Sequence, residues 1–356
     1  MSEFDKYIVQ GEPDKKAKAN AWQTAIGLQD VDGLKPSEYL IKTAVQHIEG
    51  DITIDQVKDM LDTYYETKDV RENLEDERTE EADKVSARIT EILSEQSFSF
   101  TPDYLLRIHR RLFEGIYKHA GQLRNVNITK KEWVLNGDTV LYSNYDMLRE
   151  TLEYDFEQEK KTDYSVLNAD MAVKQICKFV SGIWQIHPFR EGNTRTTAVF
   201  TMKWLQTFGF SVDNDVFKDN SWYFRNALVR ANYNNIPKRI FATSEYLELF
   251  FRNLLFGEQN KLSNRTMLAG DPQSAIIEVS KSQNGTLNGT LNCNLDELAL
   301  LRYVKENPDA TQIEIAKHIG KSERTVKRMT PALIERGLLE RENGKRNGKW
   351  VVKCEI

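Results

Sequence analysis

The apolar positions of this chain recur mostly at helical spacing. Val45, Ile48 and Ile52 fall on one helical face, and Val57, Met60, Leu61 and Tyr64 on another. Residues 1–20 are polar and are expected to fray, and residues 68–84 are dense in charge before Val85–Leu93 turns amphipathic. Thr101-Pro102-Asp103 carries the marks of a helix start: a Thr cap, Pro in the first turn and an acid behind it. Further helices are predicted over Asp146–Glu159, Asn168–Ile186, from the end of the loop His187–Asn193 to about Phe208, over Asp219–Asn232 and over Thr243–Phe256. The second of these is apolar along one side (Met171, Val173, Ile176, Val180, Ile183, Trp184) and reads as the buried centre of a domain.

One stretch breaks the pattern. Val126, Ile128, Trp133, Val134 and Leu135, then Val140, Leu141 and Tyr142, flank Asn136-Gly137-Asp138, a β-hairpin signal inside a helical protein. Residues 258–293 lose periodicity and contain a short tandem repeat over 284–292, so a linker is expected there, with order only at Ala275–Val279. The last 60 or so residues regain a pattern of helix, helix, turn, helix and hairpin.

Composition narrows the class. The 356 residues carry 40% apolar and 29% charged side chains, ordinary for a globular protein of two or three domains. The net charge is −5, but from Glu297 onward 13 Lys and Arg face 9 Asp and Glu, so the tail is basic on an acidic body. Three scattered cysteines without a CxxC pair argue against a disulfide framework or a zinc site. No apolar run approaches the roughly 18 residues that span a bilayer, and the polar start is unlike a secretory signal. No membrane partner and a cytoplasmic location are therefore expected, and the two glycosylation sequons at Asn284 and Asn288 read as chance.

The candidate chemistry lies in His187-Pro188-Phe189-Arg190-Glu191-Gly192-Asn193-Thr194-Arg195-Thr196-Thr197-Ala198. A loop between an apolar helix and a following helix turns the first amides of that helix outward as an anion site. Gly192 permits close backbone approach, Arg195 adds a planar cation, Glu191 suits Mg²⁺, and His187 is the natural base. Base, metal ligand, anion nest and Arg within nine residues suit phosphoryl-type transfer.

This segment resembles the signature of the Fic domain family, His-x-Phe-x-(Asp/Glu)-Gly-Asn-Gly-Arg-x-x-Arg. His109-Arg110-Arg111-Leu112-Phe113, His119-Ala120-Gly121-Gln122-Leu123-Arg124 and Val126-Asn127-Ile128 resemble the family's helix leading into its flap, and the likeness covers about residues 85–260. The resemblance implies a mainly α fold, a helical bundle with a β-hairpin flap, and a protein nucleotidylyltransferase that moves AMP from Mg-ATP to a Ser, Thr or Tyr hydroxyl, the protein's own included. It implies that His187 deprotonates that hydroxyl, Phe189 anchors the loop, Glu191 holds Mg²⁺, and Gly192, Asn193 and Thr194 form the anion hole, with Asn193 near the α-phosphate. Arg195 would steady the outer phosphates, the flap at about 127–142 would clamp the target protein, and Tyr223 and Asn232 would contact base or ribose. Two positions depart from the signature: Thr194 replaces its second Gly, and Ala198 replaces its last Arg, which grips the γ-phosphate and pairs with an inhibitory Glu. The alternatives are a Fic enzyme with another phosphate donor, and a nucleotide-sensing or self-modifying transcriptional regulator with a degenerate site.

Val45-Gln46-His47-Ile48-Glu49-Gly50 resembles the family's inhibitory helix, and residues 20–67 resemble the small antitoxins that cover some Fic domains, with Glu49 as the plug. With Ala at 198, inhibition by Glu49 is expected to be weak. The tail resembles a winged helix-turn-helix, whose third helix and wing would present Lys321, Arg324, Lys327, Arg328, Lys345 and Arg346 to duplex DNA, unless it docks protein instead. Pro331 is expected to kink or shorten that third helix. The expected organisation is an inhibitory segment at 1–67, a Fic domain at 68–260, a linker at 261–293 and a winged helix at 294–356, with a second copy of the chain left open as a partner.

Overall fold

The computed structural model describes residues 3–10, 12–67, 74–210, 216–270, 292–342 and 348–354. Ala275–Val279, the tandem repeat before residue 292, and the wing residues Lys345 and Arg346 lie outside them. The N-terminal part is built from α1 (Asp5–Gln10), α2 (Pro13–Gly27), α3 (Glu38–Glu49), α4 (Ile54–Thr67) and the long α5 (Leu74–Ser94). Next come α6 (Pro102–Phe113), α7 (Leu148–Glu159), α8 (Ala169–Ile186), α9 (Asn193–Gln206), α10 (Val216–Ala231) and α11 (Glu245–Phe256). The tail holds α12 (Leu295–Glu306), α13 (Gln312–His318), α14 (Glu323–Glu335) and an antiparallel pair, β1 (Leu339–Glu342) with β2 (Lys349–Val352), in register Leu339 to Val352. No described helix is long and apolar enough to cross a membrane.

The helix starts follow local chemistry. Ser37, Thr101, Asn168, Thr311 and Ser322 each accept a hydrogen bond from a first-turn amide of the helix they open. Asp5–Gln10 and Pro13–Gly27 are helical rather than frayed, because Phe4, Tyr7, Ala19 and Trp22 are buried in a small core with Leu40, Ile48, Val57, Leu61 and Tyr65. A larger core joins the central helices to the tail. Arg302 of α12 donates to the carbonyls of Leu254 and Leu255 at the end of α11, and a side chain at Gly209 would collide with Ile319 at 2.7 Å.

Two other expectations change. The expected β-hairpin is a loop: among the described residues the only strands are β1 and β2. Residues 133–135 form a 3-10 turn instead, closed by Glu132 N–H to Asp138 O at 2.9 Å and by Asn136 in the left-handed region. Val134, Leu135, Val140 and Tyr142 point into the core, so the segment is held by burial of single side chains and not by a ladder. Pro331 does not end its helix, since α14 runs on to Glu335. Pro331 is exposed, so water can satisfy the carbonyl that its missing N–H leaves without a partner.

Buried histidines make stability depend on pH. His47 accepts Trp22 Nε1–H at Nδ1 (3.0 Å), and burial, with Lys18 nearby, pushes it down to about 4. His109 is fully buried and is pushed down by burial to about 3. Above pH 6.5 both are neutral in the folded and unfolded chain. Below it the unfolded chain takes up protons that the folded chain refuses, so stability falls as the pH drops toward 4, by ~1.4 kcal/mol per pH unit for each histidine. Urea unfolding at pH 7.5 and 5.5 should therefore show a smaller acid loss for His109→Gln than for wild type, whatever the variant costs at neutral pH. Equal losses would refute this.

Candidate active site

The site grows from the junction of α8 and α9. Helix α8 stops because His187 adopts the left-handed conformation (φ 52, ψ 57), which is uncommon for a residue with a Cβ. Arg124 fixes that turn: its Nε donates to His187 O at 2.8 Å and its backbone N–H to Pro188 O at 2.8 Å. The His187 ring is buried. Its Nδ1 lies 3.2 Å from Trp184 O and its Nε2 has no hydrogen-bond partner. A carbonyl beside Nδ1 selects the tautomer with the proton there, leaving Nε2 as the bare base. Burial, then Lys130, holds the ring well below the ordinary histidine value. Tyr142 covers one face at a centroid distance of 4.2 Å, and its hydroxyl reaches Glu132, which is buried and ion-paired to Arg225 at 2.7 Å.

Phe189 anchors the loop as expected. It stacks on His109 at 3.7 Å, and that ring also bridges Gly121 N–H (2.8 Å) and Glu191 O (3.1 Å). Gly192 caps α9 at φ 73, and a Cβ there would meet Phe113 at 2.4 Å, so the ring of Phe113 as well as the backbone demands glycine. No side-chain cap hydrogen bond is made at the start of α9, which leaves its first-turn amides without a cap.

The polar side chains of the loop are engaged within the protein. Asn193 closes a ring with Phe189, accepting from its N–H at 3.0 Å and donating to its O at 2.8 Å, so the side chain braces the loop. Thr194 accepts the Trp184 indole N–H at 2.9 Å, so the hydroxyl that replaces a glycine ties α9 to α8. Ala198 is wholly buried in the core. Glu191 is more than half exposed and pairs with Lys130 of the flap loop at 2.8 Å.

Arg195 is the surprise. Its side chain is 1% exposed and already enclosed by two carboxylates and an amide: Asp32 pairs with Nε at 2.9 Å, Glu81 with Nη2, and Gln29 accepts from Nη1 at 3.0 Å. Burial disfavours the cation, but Asp32, Tyr117 and Glu81 together raise its pKa above the ordinary arginine value.

The expected plug, Glu49, is elsewhere. It hydrogen-bonds Tyr7 and pairs with Lys15 at 2.8 Å, both within the N-terminal segment, and does not meet the loop. Asp32, not Glu49, is the acid of this segment that reaches the signature loop, where it pairs with Arg195. Each is an acid just before a left-handed glycine that ends a helical stretch, Asp32-Gly33 and Glu49-Gly50, so the local pattern alone does not choose between them. Tyr223 and Asn232 also differ from expectation. The Tyr223 hydroxyl donates to Tyr246 O at 3.1 Å, and Asn232 bonds Ser181 O and Leu228 O, so both pack helices together. Asp32, Glu81, Lys130 and Arg124 were missed, since each is distant in sequence from the loop that it touches.

In the tail, Lys321 pairs with Asp296 at 2.8 Å and Lys327 with Glu323 at 2.6 Å. Arg324, Lys327 and Arg328 are exposed on the first two turns of α14.

Comparison with known proteins agrees with this geometry. Residues 99–205 match the Fic/DOC family and residues 297–340 match a winged helix-turn-helix DNA-binding family. A 120-residue stretch is 27% identical to protein adenylyltransferase VbhT of Bartonella schoenbuchensis, covering 33% of this chain and 24% of that protein. The chain thus matches about a quarter of the length of that curated relative. A crystal structure of a Fic family protein from Desulfovibrio desulfuricans aligns over 98% of this chain and 92% of its own, at 14% identity and a TM-score of 0.43. The chain carries a Fic/DOC family domain, with His187 to Arg195 as its signature loop, and a winged helix-turn-helix behind it.

Proposed function

We propose that the protein transfers a nucleoside monophosphate, AMP from Mg-ATP, to a protein hydroxyl, and that Asp32 and Glu81 hold it inactive. The observation that carries the reading is His187 Nε2: buried, bare, and held in the basic tautomer beside the uncapped start of α9. Nε2 takes the proton of the attacking hydroxyl as its oxygen bonds to the α-phosphorus, while pyrophosphate leaves. The amides of the first turn of α9 hold the α-phosphate oxygens through the transfer. Glu191 would hold Mg²⁺, which neutralises phosphate charge; its exposed carboxylate, paired with the flexible Lys130, suits that ion. Kinship with a protein adenylyltransferase supports the donor.

The Arg195 ion pairs support the regulation. With alanine at 198, Arg195 is the remaining side-chain cation of the signature for outer phosphates, and the N-terminal segment and α5 occupy it. The tail is a duplex-DNA module in this reading, touching phosphates through Arg324, Lys327 and Arg328.

Intact mass after incubation with Mg-ATP tests the activity. Wild type should label itself slowly, and Asp32→Ala/Glu81→Ala should raise the rate about tenfold or more, the equivalent of some 1.4 kcal/mol of lost pairing. Glu49→Gly should leave the rate unchanged. Activation by Glu49→Gly alone would return the plug to that residue.

In the released variant, His187→Ala should cut labelling by about 10²–10⁴ with nucleotide binding retained. The base must be neutral, and burial keeps His187 neutral below the ordinary histidine value. The labelling rate should therefore stay flat from pH 8 through 6.5 and fall only below it. An acid limb centred at 6.5 would contradict the buried base.

A further inference from the structure

Arg124 is a buried cation whose hydrogen bonds include no carboxylate. Arg124 is 2% exposed, and its guanidinium donates only to backbone oxygens: Nε to His187 O at 2.8 Å, Nη1 to Val126 O at 2.7 Å, and Nη2 to Ser143 O and to Ile186 O at 3.3 Å. Its backbone N–H adds Pro188 O at 2.8 Å. Three of these carbonyls belong to the turn that ends α8, and two lie at opposite ends of the flap loop.

We propose that Arg124 is a positioning residue that joins the flap to the catalytic histidine, so that neither moves without the other. The proposal rests on the reading of His187 as the base. The geometry requires an arginine. Carbonyls from two segments surround one plane, and the guanidinium offers five donors spread in that plane, whereas an ammonium offers three from a single point. The His187 turn is left-handed for a residue with a Cβ, a conformation that persists only where the surroundings over-determine it. Arg124 supplies three of the bonds that do so. Ser143, whose carbonyl it holds, follows Tyr142, whose ring covers the His187 imidazole at 4.2 Å. The flap arm and the base are thus fixed to the same side chain from two directions, and a shift in either reaches the other through it.

Two readouts in the full-length chain test this. The first is deuterium uptake with no nucleotide present. In Arg124→Lys and Arg124→Gly, residues 126–143 and 184–190 should gain uptake together, while α12 to α14 stay as in wild type. The second is self-labelling in the Asp32→Ala/Glu81→Ala background. There kcat should fall about 10²-fold, as expected for a misplaced catalytic group, with KM for Mg-ATP changed less than about threefold. Guanidinium ion at sub-denaturing concentration should partly restore both readouts in Arg124→Gly and not in Arg124→Lys. Uptake that rises in only one segment, or in neither, overturns the proposal. So does a rise in KM at constant kcat, or a general loss of protection that guanidinium does not reverse. If Arg124→Gly does not fold, Arg124→Lys decides by the same two segments. If wild type and the released variant label nothing, the reading of the reaction fails, and the paired uptake still decides whether Arg124 joins flap and turn.

Discussion

Helix α9 is buried along nearly its whole length, its polar first turn included, and much of the site follows from that constraint. Every residue from Asn193 to Leu205 is buried. The apolar ones need only neighbours, but Asn193, Thr194 and Arg195 need partners, because an unsatisfied buried polar group costs about 1–3 kcal/mol and a charge more. Asn193 finds Phe189, and Thr194 finds Trp184. Both bonds run back into the loop or into α8, so the polar residues of the signature also brace it. Arg195 cannot be satisfied locally. Its carboxylate partners come from α5 and from the turn after α2, more than a hundred residues earlier in the chain.

That distance explains what was legible in the sequence. Caps and turns depend on residues a few positions apart, so the starts of α6, α8 and the tail helices could be read directly, as could the signature loop. His187, Glu191 and Gly192 were grouped as candidates because they lie close together in the chain. Asp32 was not, because Asp32-Gly33 and Glu49-Gly50 share one local pattern and only packing distinguishes them. The flap misled for a related reason. Its alternation of apolar residues is a strand signal, but the adjacent Val134 and Leu135 are both buried, and a ladder would have turned one of them outward. Residues 1–20 misled in the opposite sense: the aromatic rings of Phe4, Tyr7 and Trp22 anchor an otherwise polar stretch.

The tail is joined to the body by more than a tether. One core runs through both, Arg302 caps the end of α11, and Gly209 lets Ile319 approach the end of α9 closely. Docked in this way, the tail keeps its apolar faces inward and leaves Arg324, Lys327 and Arg328 outward. A charged helix face held on a rigid body can meet a phosphate backbone with little further ordering, which favours binding.

In the reaction proposed above, Ala198 would make regulation an exchange at one group. In the signature two arginines face the outer phosphates; here one position is an alanine sealed in the core, and the other cation is Arg195. The carboxylates of Asp32 and Glu81 and the phosphates of a nucleotide are then alternative anions for the same guanidinium. A buried arginine without any anion is the costly state, so release of the N-terminal segment and arrival of nucleotide favour one another. The coupling is reciprocal: whatever loosens the segment tightens nucleotide binding, and bound nucleotide loosens the segment by the same factor.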